Sequence, residues 1–285
     1  MDQALKIASY EEDQAVRPAT RVMAISSGKG GVGKTNSVVN LAIAFSRLGK
    51  KVLLLDADLG LGNLDVLLGL APRYNISHLL SGERKIDEVL VEGPEGIMIL
   101  PASSGVHELT DLATEERIAL ASHLETLGDG FDIMMIDTGA GISSNVLFFN
   151  TSAQEIVVVV TPEPTSITDA YALMKVMNQR HGERRFRLLV NSVKSRKEGI
   201  EVYRKISLAA ERFLNINVEY LGPVLHDDNV NRSVIRQKAV MELYPQTKAS
   251  QCYQEIAREI CEQPVQSGLK GGMQFFWRQF LSRTI

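Results

Sequence analysis

The sequence predicts an α/β fold, a mostly parallel sheet with helices on both faces, on three observations. Six short runs are dense in Ile, Val, Leu and Met; longer amphipathic stretches separate them; and a glycine-rich turn, Gly28 to Gly33, stands between the first run and the first stretch. Runs that are apolar throughout suit strands buried on both faces, and strands alternating with helices imply crossovers and parallel pairing.

In chain order the runs are "VMAIS", "KVLLLD", "GIMILP", "FDIMMID", "EIVVVVT" and "FRLLVN". Helical spacing is read over Asn36–Leu48, Glu115–Leu127, Ile167–Arg180 and Ile200–Phe213, the first of which aligns Val38, Leu41, Ala42, Phe45 and Leu48 on one stripe. These elements make one domain over residues 21–262. Residues 1–20 form a polar extension with a short possible helix, "DQALKIASYEE". Residues 263–285 hold a hinge, "QPVQSGLKGG", and then "MQFFWRQFLSRTI".

The totals are those of ordinary globular material: 285 residues, 45% hydrophobic, 23% charged, with a formal charge of -3. That charge argues against broad nucleic-acid binding. Cys252 and Cys261 lie nine apart with no C-x-x-C partner and read as reduced thiols of a cytosolic protein. The first 18 residues lack the apolar stretch of an export signal, and no apolar run approaches the roughly 20 residues that span a bilayer, so any membrane contact is expected to be peripheral.

Gly28, Lys29, Gly30, Gly31, Val32, Gly33, Lys34 and Thr35 fit G-x-x-x-x-G-K-[ST], after an apolar run and before a helical pattern, the context that motif requires. Glycines let successive N–H groups turn toward an anion, and the helix start at Lys34 to Asn36 adds its own unpaired donors. Lys34 is expected on the β- and γ-phosphates and the Thr35 hydroxyl on Mg²⁺. Lys29 is not needed by this loop. On the residues alone it is either an ordinary exposed lysine or a charge that crosses to the triphosphate of a second subunit.

Two acidic stretches follow. "VLLLDADLGLGN" ends a strand with Asp56 and Asp58, which alternation sends to one side, with Asn63 beyond them. "FDIMMIDTGAG" places Asp137 directly after apolar residues, where a carboxylate accepts hydrogen bonds from Mg²⁺-bound water. No [NT]-K-x-D guanine signature occurs, and Asn191 ends the run "FRLLVN" at the same sheet edge.

"KGGVGKT" resembles the deviant Walker-A loop of the MinD/ParA class of dimerising P-loop ATPases. The resemblance covers residues 21 to 262 and implies the following. Two subunits sandwich two ATP molecules, and Lys29 contacts the phosphates bound by the opposite subunit. Asp58 orients the attacking water, with Asn63 in the same first switch segment and Asp56 supporting the magnesium environment. Thr138, Gly139, Ala140 and Gly141 form the second switch, a loop whose glycines let it respond to the γ-phosphate. Asn191 recognises adenine, with further contacts from Pro223 and Asp227 in the loop "GPVLHDDNV". "TPEPTSITDAYALMK" adjoins the dimer face. The implied activity is a slow, dimer-dependent ATPase, with ATP and Mg²⁺ as its ligands.

The terminal segments extend this reading. Met273, Phe276, Trp277, Phe280, Leu281 and Ile285 fall on one helical face, and from Gln263 onward there are three positive charges and no carboxylate side chain. That pattern predicts an interfacial helix on anionic lipid, or one that packs on the domain. A single short copy binds weakly, and two copies in a dimer gain from effective concentration. At the other end Asp2, Gln3, Ala4 and Ile7 resemble the D-Q-A-x-x-L-R element of the FlhG/FleN group of flagellar number regulators, with Ile7 for leucine and Ala8 for arginine. This resemblance implies a signal-recognition-type GTPase partner (FlhF), a flagellar transcription activator and basal-body components. The protein is then expected in the cytoplasm, reversibly on the inner face of the membrane, as a regulator of flagellar number and placement. The rivals are a septum-site or partition ATPase of the same class and, in a different class, an ATP-binding scaffold without meaningful hydrolysis.

Overall fold

A computed structural model describes residues 20–60, 62–102, 112–127 and 130–264. The expectations for Asp2, Gln3, Ala4 and Ile7, and for the helix from Met273 to Ile285, lie outside the described residues.

The described chain builds one eight-stranded sheet. Its strands are β1 (Arg21–Ser27), β2 (Val52–Ala57), β3 (Val91–Glu92), β4 (Met98–Leu100), β5 (Ile133–Ala140), β6 (Glu155–Val160), β7 (Arg185–Val193) and β8 (Asn217–Leu225), in the spatial order β3-β4-β2-β5-β1-β6-β7-β8. Every pairing is parallel except that of β3 with β4. The main helices are α1 (Lys34–Arg47), α2 (Thr114–Glu125), α3 (Ser144–Ser152), α4 (Pro164–His181), α5 (Arg196–Leu214), α6 (Asp228–Ile235) and α7 (Lys248–Glu262).

Both faces of the sheet are covered, which is why the strands carry apolar residues without alternation. On one face Met23, Ile25, Leu54 and Met135 pack with Val38, Leu41 and Phe45 of α1 and with Tyr253 and Ile256 of α7. On the other face Ala24, Leu53 and Ile136 pack with Leu120 of α2 and Phe149 of α3, while Val158 and Leu188 pack with Leu173 of α4 and Ile206 of α5. All six strand readings and all four helix readings are borne out, each to within a few residues. Leu48, expected on the α1 stripe, instead lies past the end of the helix and is 39% exposed.

Two segments are corrected. "GPVL", read as loop, lies inside β8, which pairs with β7 along Leu189↔Gly222 and Val190↔Pro223. Glycine and proline disguised this strand, and proline is tolerated because β8 is the sheet's edge. Thr138, Gly139 and Ala140, read as a switch loop, continue β5; only Gly141 turns, at φ +88°. Asp132 accepts the Lys51 N–H at 2.7 Å and ties the starts of β2 and β5 together.

Candidate nucleotide-binding site

The carboxyl ends of β1, β2, β5 and β7 meet at one edge, where ligands of open α/β sheets gather. The loop after β1 is shaped from within. Ser27 donates its hydroxyl to Lys29 O at 3.0 Å, and Gly31 and Gly33 take left-handed φ values of +79° and +82°. Those torsions suit glycine and turn the chain into α1, whose first residue is Lys34. The loop is also clamped from outside. A Cβ on Gly28 would stand 2.2 Å from the Asp169 carbonyl carbon of α4, and Asn191 Nδ2 donates to Val32 O at 2.8 Å. Behind the loop Ser26 Oγ lies 2.6 Å from Thr138 Oγ1 and accepts from Asn150 Nδ2 at 2.6 Å.

Beneath the loop, Lys34 Nζ donates to Asp137 Oδ1, and both side chains are buried. Burial raises the Asp137 pKa, against the opposing pull of the Lys34 ammonium and hydrogen bonds from Lys34 and Thr35. Asp56 is pushed up to about 7, first by burial and then by the neighbouring Asp137. Its two oxygens accept the N–H groups of Asp58 and Leu64, each at 3.2 Å, so Asp56 shapes the turn that leaves β2. Asp58 is half-buried; a Cβ on Gly139 would lie 3.5 Å from its Oδ1, and its charge acts on Asp137. Asn63 sits exposed at the start of the short helix Leu64–Leu68.

The structure therefore assembles Gly28 to Thr35, Asp56, Asp58, Asp137 and Asn191 around one edge. Thr138 belongs beneath that edge: it is fully buried, and its hydroxyl is engaged by Ser26, Ile25 O and Gly139 O. Pro223 and Asp227 each have contacts of their own. Pro223 is buried in β8, where a Cβ on Gly199 of α5 would meet it at 3.0 Å. Asp227 caps two helices, accepting from Asn229 N at 3.0 Å and Ala249 N at 3.3 Å. Those bonds outweigh burial and hold its carboxyl below the usual range.

Sequence reasoning missed the residues that hold Lys29. Its Nζ donates to Glu163 Oε2 at 2.8 Å and to Thr165 Oγ1 at 3.2 Å, at the start of α4. Only the topology, with β6 beside β1, brings that segment to the loop.

The residues fit a magnesium-bound polyphosphate. The Thr35 hydroxyl and the Asp137 and Asp56 carboxylates are oxygen donors beside an ammonium and glycine backbone. Among the described residues no group of three or more His, Cys, Asp or Glu side chains forms a cage for a metal ion.

A family model described as an AAA domain matches residues 20–189. The antiactivator FleN of Pseudomonas aeruginosa is 42% identical over 256 residues, spanning 90% of this chain and 91% of that protein. The septum site-determining protein MinD of Synechocystis sp. is 35% identical, spanning 84% and 89%. Among solved structures, the septum site-determining protein MinD of Pyrococcus horikoshii, complexed with Mg-ADP, superposes with a TM-score of 0.72 at 23% identity, over 85% of this chain and 96% of that one.

Proposed function

Because this chain belongs to the AAA-domain family, in its MinD/ParA class of deviant Walker-A P-loop ATPases, we propose that it is a spatial-regulation switch that ATP closes into a dimer and hydrolysis opens. One observation carries this reading. Lys34 is buried under its own phosphate loop, whereas the second lysine, Lys29, stands at the loop's mouth, 39% exposed and turned toward α4. A charge placed there serves a pocket that faces it, which a two-fold partner supplies, each copy completing the other.

The proposed roles of the residues are these. The N–H groups of Gly30 to Thr35 and the Lys34 ammonium bind the β- and γ-phosphates, and Asn191 lies against the loop on the side where the base is expected. Thr35, Asp137 and Asp56 hold the Mg²⁺ environment; bound there, the cation supplies charge neutralisation at the phosphate oxygens. Asp58 orients the water that attacks the γ-phosphate, and Lys29 of the opposite copy stabilises the charge that develops. The dimer then recruits the membrane through the paired segments from Met273 to Ile285.

Two finer readings remain within the class. Septum-site names recur among the relatives and the superposed structures, which supports a septum-site or partition type of regulator. The flagellar reading, with an FlhF-type GTPase, a transcription activator and basal components as partners, draws support from the identity to FleN and from Asp2, Gln3, Ala4 and Ile7.

Light scattering and phosphate release test the switch. The expected result is a monomer with ADP, a dimer with ATP, and turnover per protomer that rises with protein concentration. A nucleotide-loaded monomer refutes it, and absence of protein-dependent phosphate release favours the scaffold. Deleting the gene separates the finer readings: altered flagellar number supports one, minicells or misplaced septa the other.

A further inference from the structure

The sheet edge opposite the nucleotide site carries a cleft that the switch does not use. Helix α1 ends in a turn at Gly49, φ +78°, whose N–H bonds Ser46 O while the Lys50 N–H bonds Phe45 O. This turn sets Lys50 and Lys51 at the rim of a cleft of about 410 Å³, with Ser46 and Glu95 beside them and Met98 and Phe131 on its walls. Glu95 is paired with Arg47 at 2.6 Å, and Lys50 and Lys51 outnumber the Asp132 carboxylate nearby, so the rim keeps a net positive charge. The pocket thus pairs cations with an apolar wall, the two halves of a phospholipid headgroup region.

Its place in the fold says what reaches it. Arg21, whose N–H bonds Asp132 O, donates from its guanidinium to Ile260 O and to Gln263 O at 3.4 Å, pinning the end of α7. Lys50 and Asp132 both act electrostatically on Cys261 in the last turn of that helix. The last described residues, up to Pro264, therefore run close to the cleft, and the aromatic and basic stretch follows them in sequence.

We propose that the Lys50–Lys51 cleft is a headgroup site for anionic phospholipid, engaged when the adjoining C-terminal segment brings the domain to a membrane. The inference rests on the membrane reading of that segment. Each lysine near an anionic surface contributes an attraction that falls off within a Debye length, so a cleft beside the tether gains what a remote patch does not.

The test uses the full chain with ATP and vesicles of phosphatidylglycerol and phosphatidylcholine, or of phosphatidylcholine alone. Trp277 is the only tryptophan, so its emission reports insertion of the tail independently of binding. The expected result is that Lys50→Glu/Lys51→Glu binds anionic vesicles at least about tenfold more weakly, while Trp277 still shifts to the blue in whatever protein is bound. The exposed pair Lys197→Glu/Lys205→Glu on α5, with the same change in net charge, stays within about twofold of wild type. Equal weakening by both pairs, or none by the first, overturns the proposal and leaves the tail reading intact. Lysine-dependent binding without a Trp277 shift overturns the tail reading and with it the engagement proposed here. Displacement by millimolar glycerol phosphate assigns the cleft to a soluble anion and overturns the lipid assignment, and failure of the wild type to bind any vesicle overturns both.

Discussion

Lys29 Nζ lies 2.8 Å from Glu163 Oε2, so the charge assigned to a neighbour's triphosphate is paired within its own chain. The two side chains are 39% and 63% exposed, and such surface pairs contribute at most about 1 kcal/mol, a hold easily exchanged for a triphosphate. Glu163→Gln is expected to tighten the ATP-dependent dimer by up to about fivefold in sedimentation. Lys29→Ala is expected to lower phosphate release by roughly 10³-fold with ATP binding to the protomer retained. Unchanged turnover in Lys29→Ala removes the trans role.

Lys34 and Asp137 form a different kind of pair, buried beneath the loop. Removing one member of a buried pair leaves an uncompensated charge and typically costs about 3–5 kcal/mol. Burial has already raised the Asp137 pKa, so without Lys34 its proton is kept to still higher pH. Lys34→Ala is therefore expected to lose nucleotide binding and to lose more stability at pH 8 than at pH 5. Thermal melts of the nucleotide-free protein at the two pH values check this, and an equal loss at both refutes it.

Asp56 gives a pH dependence of its own. Its folded pKa of about 7 lies above the ordinary aspartate value of 3.8, so the folded state holds the proton more tightly than the unfolded chain. The stabilisation this gives is complete below about pH 4 and is lost as pH rises through about 7. Asp56→Asn, which mimics the protonated form, is expected to flatten the stability of the nucleotide-free protein across that range and to melt above the wild type at pH 8. A parallel pH profile for the two proteins shows that Asp56 is ionised throughout.

These carboxylates also show how far the sequence could be read. Asp56, Asp58 and Asp137 were legible because each follows an apolar strand, and strand ends place them by alternation and by sheet order alone. Glu163 was not legible, because nothing local tells that the turn before α4 returns to the loop after β1. The surroundings of Pro223 and Asp227 were hidden for a related reason. Glycine and proline hid the strand that contains Pro223, and the capping role of Asp227 depends on the distant N–H of Ala249. Thr138 to Ala140 read as a loop because glycine there hides an extended strand whose hydroxyl is satisfied by Ser26.

At the opposite edge Glu155 lies between two buried guanidiniums, 2.5 Å from Arg21 Nε and 2.8 Å from Arg187. Arg21 also holds the end of α7, and Arg187 Nη2 donates to Gln263 Oε1 at 2.6 Å. Glu155→Gln is expected to destabilise the protein by about 3–5 kcal/mol, since both cations lose their shared counter-charge. Because this cluster is remote from the phosphate loop, ATP affinity of the folded variant should match the wild type. A denaturant titration with a nucleotide titration separates the two effects, and impaired ATP binding without lost stability contradicts the assignment.

The tightest packing in the site joins Gly28 to α4. A methyl group there would stand 2.2 Å from both the carbonyl carbon and oxygen of Asp169, and 2.6 Å from Ala170 N. These are backbone atoms of an 18-residue helix, which cannot yield as a flexible side chain would. Gly28→Ala must therefore push the loop and α4 apart, disturbing the loop's N–H groups and the Lys29–Glu163 contact together. Gly30 supplies the control, since nothing lies within 4 Å of a Cβ placed on it. Gly28→Ala is expected to weaken ATP binding at least about tenfold, in line with the 1–3 kcal/mol that overpacking usually costs, whereas Gly30→Ala loses less. Calorimetric titration of both variants decides it, and a Gly28→Ala protein with wild-type affinity would show that α4 moves freely relative to the loop.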